Sequence, residues 1–235
     1  MNRARIPERA IAVANLPSTT TQLTTRTLQD QMHAIVAIVA NDGARSAACK
    51  VVPLLGHTVL LGANVVTTEH NRRLTAGIGA LPNEALLHAL FQMPEDRFCD
   101  WSSFDHHARR ELFGAAAGIV EQTACGVRRL ATYPVNNLAV VLAGANSGSL
   151  LRTAGDFAAF SQRWICCPAD GNPETELEAS LYRVGVIRVD EDGHATETCD
   201  PPPFVPARFT PTLWWFHELA YQALLDADAF SAPTP

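Results

Sequence analysis

Apolar positions recur at helical spacing from about Thr19 to Ala40, where Leu28, Met32, Ile35, Val36 and Val39 share a face. Ile35–Val39 is also a β-branched run suited to a buried strand, so this segment reads as one helix or as helix plus strand, ended by Asn41-Asp42-Gly43. Two apolar runs, Cys49–Leu55 and His57–Val66, meet at Gly56 and predict a β-hairpin or two short strands. Leu81–Gln92 predicts a short helix with Pro82 in its first turn. The longest pattern begins at Ser102 or Ser103 and reaches about Leu130. Phe104, Ala108, Leu112, Ala116, Ile119 and Val127 form its stripe, and Ser102 with Asp105 resembles a capping box. Gly114 and Gly118 would weaken that helix, so close packing is expected to compensate.

Farther on, Val135–Ala143 reads as a buried strand and Gly144–Ser149 as a loop. Thr153-x-x-Asp156 opens a short helix ending near Trp164, and Leu181–Val189 reads as a strand. Asp190-Glu191-Asp192-Gly193 turns the chain into Thr196–Cys199. Pro201-Pro202-Pro203 and Pro206 demand extended backbone without donors. Thr210-Pro211 caps a last helix running to about Phe230, with Leu213, Phe216, Ala220 and Leu224 on one stripe. Trp214, Trp215 and Tyr221 add a second, aromatic face. The elements lack a steady β-α-β rhythm. The expected fold class is α+β: a mixed sheet with one long central helix and a C-terminal amphipathic helix. No linker divides the chain, so residues 1–235 read as a single globular domain, with 1–18 as an extended arm.

Hydrophobic residues make up 47% and charged residues 18% of the chain, which excludes disorder. A net charge of −6 and scattered arginine pairs give no basic stripe, so no nucleic-acid partner is expected. The longest apolar runs, Ala34–Ala40 and Leu138–Ala143, are too short to span a bilayer. No apolar signal core follows the N-terminus. The expected place is therefore the cytoplasm, or an assembled particle, with the six cysteines reduced. Asp105-His106-His107 and His217-Glu218 lack zinc-helix spacing, and Gly77-Ile78-Gly79 is too short for a phosphate loop. No metal or cofactor is expected.

The stretch Tyr182-Arg-Val-Gly-Val-Ile-Arg-Val-Asp-Glu-Asp-Gly, followed by Asp200-Pro-Pro-Pro-Phe-Val-Pro and the Leu213–Leu225 helix, resembles baseplate subunit K of type VI secretion systems and related phage-tail baseplate proteins. Gly56–His70 resembles a motif shared by tail and baseplate subunits. The resemblance covers about 60 of the 235 residues and implies a structural or adaptor subunit of a larger, phage-tail-like assembly, without catalysis. Its partners would be copies of itself or other subunits. Trp214, Trp215, Phe216 and Tyr221 are the expected interface, because one helix carries more aromatic area than one face can bury.

The alternative is a serine hydrolase. Gly144-Ala-Asn-Ser147-Gly-Ser149 resembles the serine loop of chymotrypsin-like proteases, and Val65–His70 resembles their histidine segment. That resemblance implies His70 as base, Asp105 (or Asp100) as acid and Ser147 as nucleophile. Ser149 stands where that family has glycine, and the intervening helical pattern does not suit its two β-barrels.

Overall fold

The computed structural model describes residues 35–36, 47–190 and 192–230. Thus the expected arm over residues 1–18 lies outside the described residues. So does the element from Thr19 to Ala40, apart from Ile35 and Val36.

The fold is α+β and centres on a mixed six-stranded sheet of order β1-β2-β6-β7-β8-β9. Strands β1 (Ala47–Leu54) and β2 (His57–Val65) form the expected hairpin. Its two-residue turn holds Leu55 at φ 49° and Gly56 at φ 80°. Two successive left-handed residues twist the hairpin in the sense of the strands, but leucine tolerates that conformation poorly. Leu55 is partly exposed. Leu55→Asn should therefore raise stability by about 1 kcal/mol, read as a higher urea midpoint at unchanged m-value.

Helix α1 (Thr67–Ala76) leaves β2 at the end where Val65 pairs with Val135. Strand β6 (Val135–Ala143) then runs antiparallel to β2 and begins a parallel unit. Helix α4 (Ser147–Gly155) connects it to β7 (Gln162–Pro168), and α5 (Thr175–Leu181) connects β7 to β8 (Gly185–Val189). The short strand β9 (Ala195–Cys199) returns antiparallel as the far edge. The β-α-β rhythm is thus present at the centre of the sheet. Asn146, not Thr153, caps α4, accepting a bond from the Ser149 N–H, and Trp164 lies in a strand.

Alternation of side chains divides the sheet into two faces. Leu138, Val140, Leu142, Ile165 and Cys167 face one core, which is covered by α4, α5 and the last helix, α6 (Pro211–Asp226). Val141, Ala143, Trp164, Cys166 and Ile187 face the other, where Ile35 packs. Burial pushes the Cys166 thiol up to about 12.

The expected long central helix is not what forms. Asp105 caps a helix of two turns, α3 (His106–Phe113), by accepting from the Ala108 N–H at 2.8 Å. Gly114 ends it, and Gly118 adopts φ 89°, which no right-handed helix permits. Strands β4 (Val120–Gln122) and β5 (Gly126–Arg129) follow, and β5 pairs with both β4 and β3 (Phe98–Asp100) in a small three-stranded sheet. The apolar stripe was nevertheless informative. Phe104, Ala108, Leu112, Ile119 and Val127 all enter one lobe core, with Leu86, Leu87 and Leu90 of α2 (Glu84–Phe91).

Helix α6 joins the two cores because three of its faces are used. Phe216, Ala220 and Leu224 lie on the sheet, while Trp214 enters the lobe core. Glu218, fully buried, accepts from the Trp214 indole at 2.9 Å, from the Leu81 N–H at 2.8 Å and from both Arg73 terminal nitrogens at 2.7 Å. Trp214, Phe216 and Tyr221 are at most 1% exposed within the single chain. They are core residues and are not available as the expected interface; of the four, only Trp215 is incompletely buried. Among the described residues no helix is long and apolar enough to cross a membrane.

Candidate functional site

The site follows from an irregularity in β6. Gly62 pairs with Ala139, but Asn64 pairs with Asn136, so Ala63 lies opposite both Asn137 and Leu138. This is a β-bulge, and Asn137 sits in it at φ 46°. Asparagine tolerates that left-handed conformation better than most residues. On the other side of β6, strand β7 begins only at Gln162, opposite Ala139, so the first residues of β6 lack a strand neighbour there. The Pro-rich segment after β9 runs beside this notch as a strap. The result is a cleft of about 460 Å3, within the range of small-molecule sites.

Its polar groups are amides and rings. Asn64, Asn136, Asn137 and Gln162 contribute carboxamides, and Tyr133 and His217 contribute rings. Phe160, Phe204, Phe209 and Leu213 supply apolar wall, with Pro203 and Pro206 from the strap. Among the described residues no carboxylate, lysine or arginine lines it. Cys49, also in the lining, is pushed by burial up to about 11, so its thiol is neutral too.

His217 is the unusual member. It is 7% exposed, and burial pushes its pKa down to about 4, against an opposing hydrogen bond to the backbone of Val135. The ring is therefore neutral near pH 7. The Tyr133 and Phe209 rings meet it edge-on, at centroid distances of 6.0 and 5.6 Å. Its Nδ1 is buried without a hydrogen-bond partner among the described residues. With the proton on the other ring nitrogen, Nδ1 is a desolvated acceptor on a residue that lines the cleft, and an unmatched buried acceptor is costly.

The residues of the hydrolase alternative are not brought together. His70 stands on α1, at the end of the sheet where β6 begins, and its Nδ1 bonds the Tyr221 hydroxyl at 2.9 Å. Ser147 opens α4 at the other end of β6, accepting from the Thr175 hydroxyl at 3.0 Å. A strand rises about 3.3 Å per residue, so the length of β6 separates the two ends by roughly 25 Å. Asp105 is occupied as the cap of α3, in the lobe. Asp100 accepts from the Ser102 N–H and hydroxyl.

One group among the described residues has metal-ligand geometry. Asp190, Asp192 and His194 place ligand atoms within 4.8 Å of one another. All three are exposed at the β8–β9 turn, where Asp190 accepts from the His194 N–H and closes the turn. That role accounts for the positions of Asp190 and His194 in the turn.

Sequence reading missed Asn64, Asn136, Asn137 and His217. A signal was present for two of them: Asn136-Asn137 interrupts an otherwise apolar strand, Val135–Ala143, and paired amides in such a strand mark a bulge or a site. No family model, characterised protein or solved structure matches this chain.

Proposed function

We propose that the protein binds a small, uncharged, planar molecule with an amide-like edge, such as a nucleobase or a nicotinamide-type ring, in the cleft over the β6 bulge. The observation that carries this reading is the neutral, buried His217, which lines the cleft and has an Nδ1 unmatched among the described residues. A ligand N–H or O–H directed at Nδ1 would satisfy it. Carboxamides present a donor and an acceptor together, the pattern that matches the edge of a heterocycle. Aromatic walls favour a flat ring, and the uncharged lining favours a neutral one.

Calorimetric titration with adenosine and with nicotinamide tests it. At least one should bind saturably, and His217→Ala should weaken that binding on the order of tenfold. Asn137→Gly removes an amide while keeping a residue suited to φ 46°, and should also weaken it. Failure of both probes to bind, or binding indifferent to both substitutions, would overturn the reading.

The role of an assembly subunit retains support from a different element than expected. Leu177 and Leu181, one turn apart on α5, are 69% and 75% exposed, and the adjoining Tyr182 is 57% exposed. In this second reading the stripe is a contact between chains. Leu181→Glu should then convert a larger particle to monomer in analytical ultracentrifugation. A wild-type monomer would remove the support.

A further inference from the structure

We propose that a second cleft, beyond the Pro203–Pro206 strap, binds the phosphate group of a small phosphorylated molecule through Arg163, Arg183, Arg208 and the Ser161 hydroxyl. This cleft has a volume of about 510 Å3, and no carboxylate lines it among the described residues. The chain is acidic overall, and Arg72, Arg73, Arg110, Arg128, Arg129 and Arg188 are each paired with a glutamate. The other described arginines have no such partner among the described residues, and three of them, Arg163, Arg183 and Arg208, line one cleft. Gathering like charges without a counter-ion costs free energy, which an anion would recover.

Two further features fit an anion. Arg163 is held in place by bonds to the Tyr182 carbonyl, at 2.7 Å, and to the Ala154 carbonyl, at 3.5 Å, and a guanidinium has five N–H donors, so not all of them are used by these two bonds. Burial, with Arg183 nearby, pushes its pKa below the usual arginine value, the expected mark of a cation lacking its partner. Ser161 is 1% exposed, and its hydroxyl has no hydrogen-bond partner among the described residues. A buried donor in the lining of the same cleft as three arginines suits a tetrahedral oxyanion, which accepts several bonds at once. Arg183 also occupies φ 58°, where glycine would be relaxed and arginine is not.

Gln162, Leu213 and the strap residues Pro203–Pro206 line both clefts, so one molecule can place its ring in the first and its phosphate in the second. Only that joint occupancy rests on the function proposed above; the phosphate subsite stands on its own residues.

Isothermal titration with inorganic phosphate, adenosine and adenosine monophosphate separates these statements. Inorganic phosphate should bind the wild type saturably, and at least tenfold more weakly in Arg163→Gln and in Arg183→Gly. The glycine variant relieves the strained backbone, so its thermal midpoint should hold or rise while binding falls. Loss of binding then cannot be ascribed to unfolding. Adenosine monophosphate should bind at least tenfold more tightly than adenosine or phosphate alone. Phosphate that does not bind, or binds equally well to both variants, overturns the site. Adenosine monophosphate no tighter than phosphate overturns the shared ligand. Phosphate binding without adenosine binding upholds this site and counts against the function proposed for the first cleft.

Discussion

Arg73→Ala is expected to lower the unfolding free energy by about 3–5 kcal/mol, a large share of the roughly 5–15 kcal/mol that holds a typical domain folded. Arg73 and Glu218 are fully buried and joined by two bonds of 2.7 Å, and Arg73 also donates to Glu69 at 2.7 Å and to the Thr132 carbonyl at 2.8 Å. Burial alone would depress the Arg73 pKa; the two carboxylates outweigh it and raise the value. Truncation to alanine leaves Glu218 with neutral donors only, the Trp214 indole and the Leu81 N–H. An uncompensated buried charge is what makes the loss large. The network also ties α1, α6 and the lobe together, so the lobe should loosen with it. Urea unfolding followed by tryptophan fluorescence reads the change. A midpoint equal to that of the wild type would show that water can replace the guanidinium, contrary to this packing.

The second large effect is a pH dependence. The ordinary histidine value of 6.5 falls to about 4 for His217 in the fold. As the pH drops below 6.5 the unfolded chain takes up this proton before the folded chain does, so protonation favours unfolding. The stabilisation associated with a neutral His217 is complete above about pH 6.5 and disappears as the pH falls to about 4. A shift of this size corresponds to roughly 3 kcal/mol. His217→Gln cannot titrate, so its stability should fall less across that window. Carboxylates elsewhere lose stability at low pH in both proteins and cancel in the difference. Parallel pH profiles for the two proteins would show that His217 protonates in the fold at its ordinary value.

The parts legible in the sequence were those whose cause is local. The β1–β2 hairpin was marked by Gly56, the strand β6 by its apolar run, and the start of α6 by Thr210-Pro211. The long helix failed because its stripe has a shared destination rather than a shared element: Leu112 comes from a helix, Ile119 from a turn and Val127 from a strand, and all reach one lobe core. Gly114, where the helix ends, and the left-handed Gly118 separate these outcomes, and spacing does not show backbone handedness. The aromatic excess on α6 was real, but its cause is three neighbours within one chain rather than a partner. The cleft was hidden for a different reason. Its amides, His217 and the strap lie far apart in sequence, and a bulge plus the late start of β7 brings them together.

The most direct test of the neutral acceptor at the cleft is the nitrogen-15 spectrum of the His217 ring at pH 7, recorded with and without adenosine or nicotinamide. A ring neutral at that pH, with its proton on Nε2 and an Nδ1 resonance that shifts as one of the two probes saturates the protein, is the predicted result. A proton on Nδ1, or an Nδ1 resonance that neither probe moves, would contradict the account.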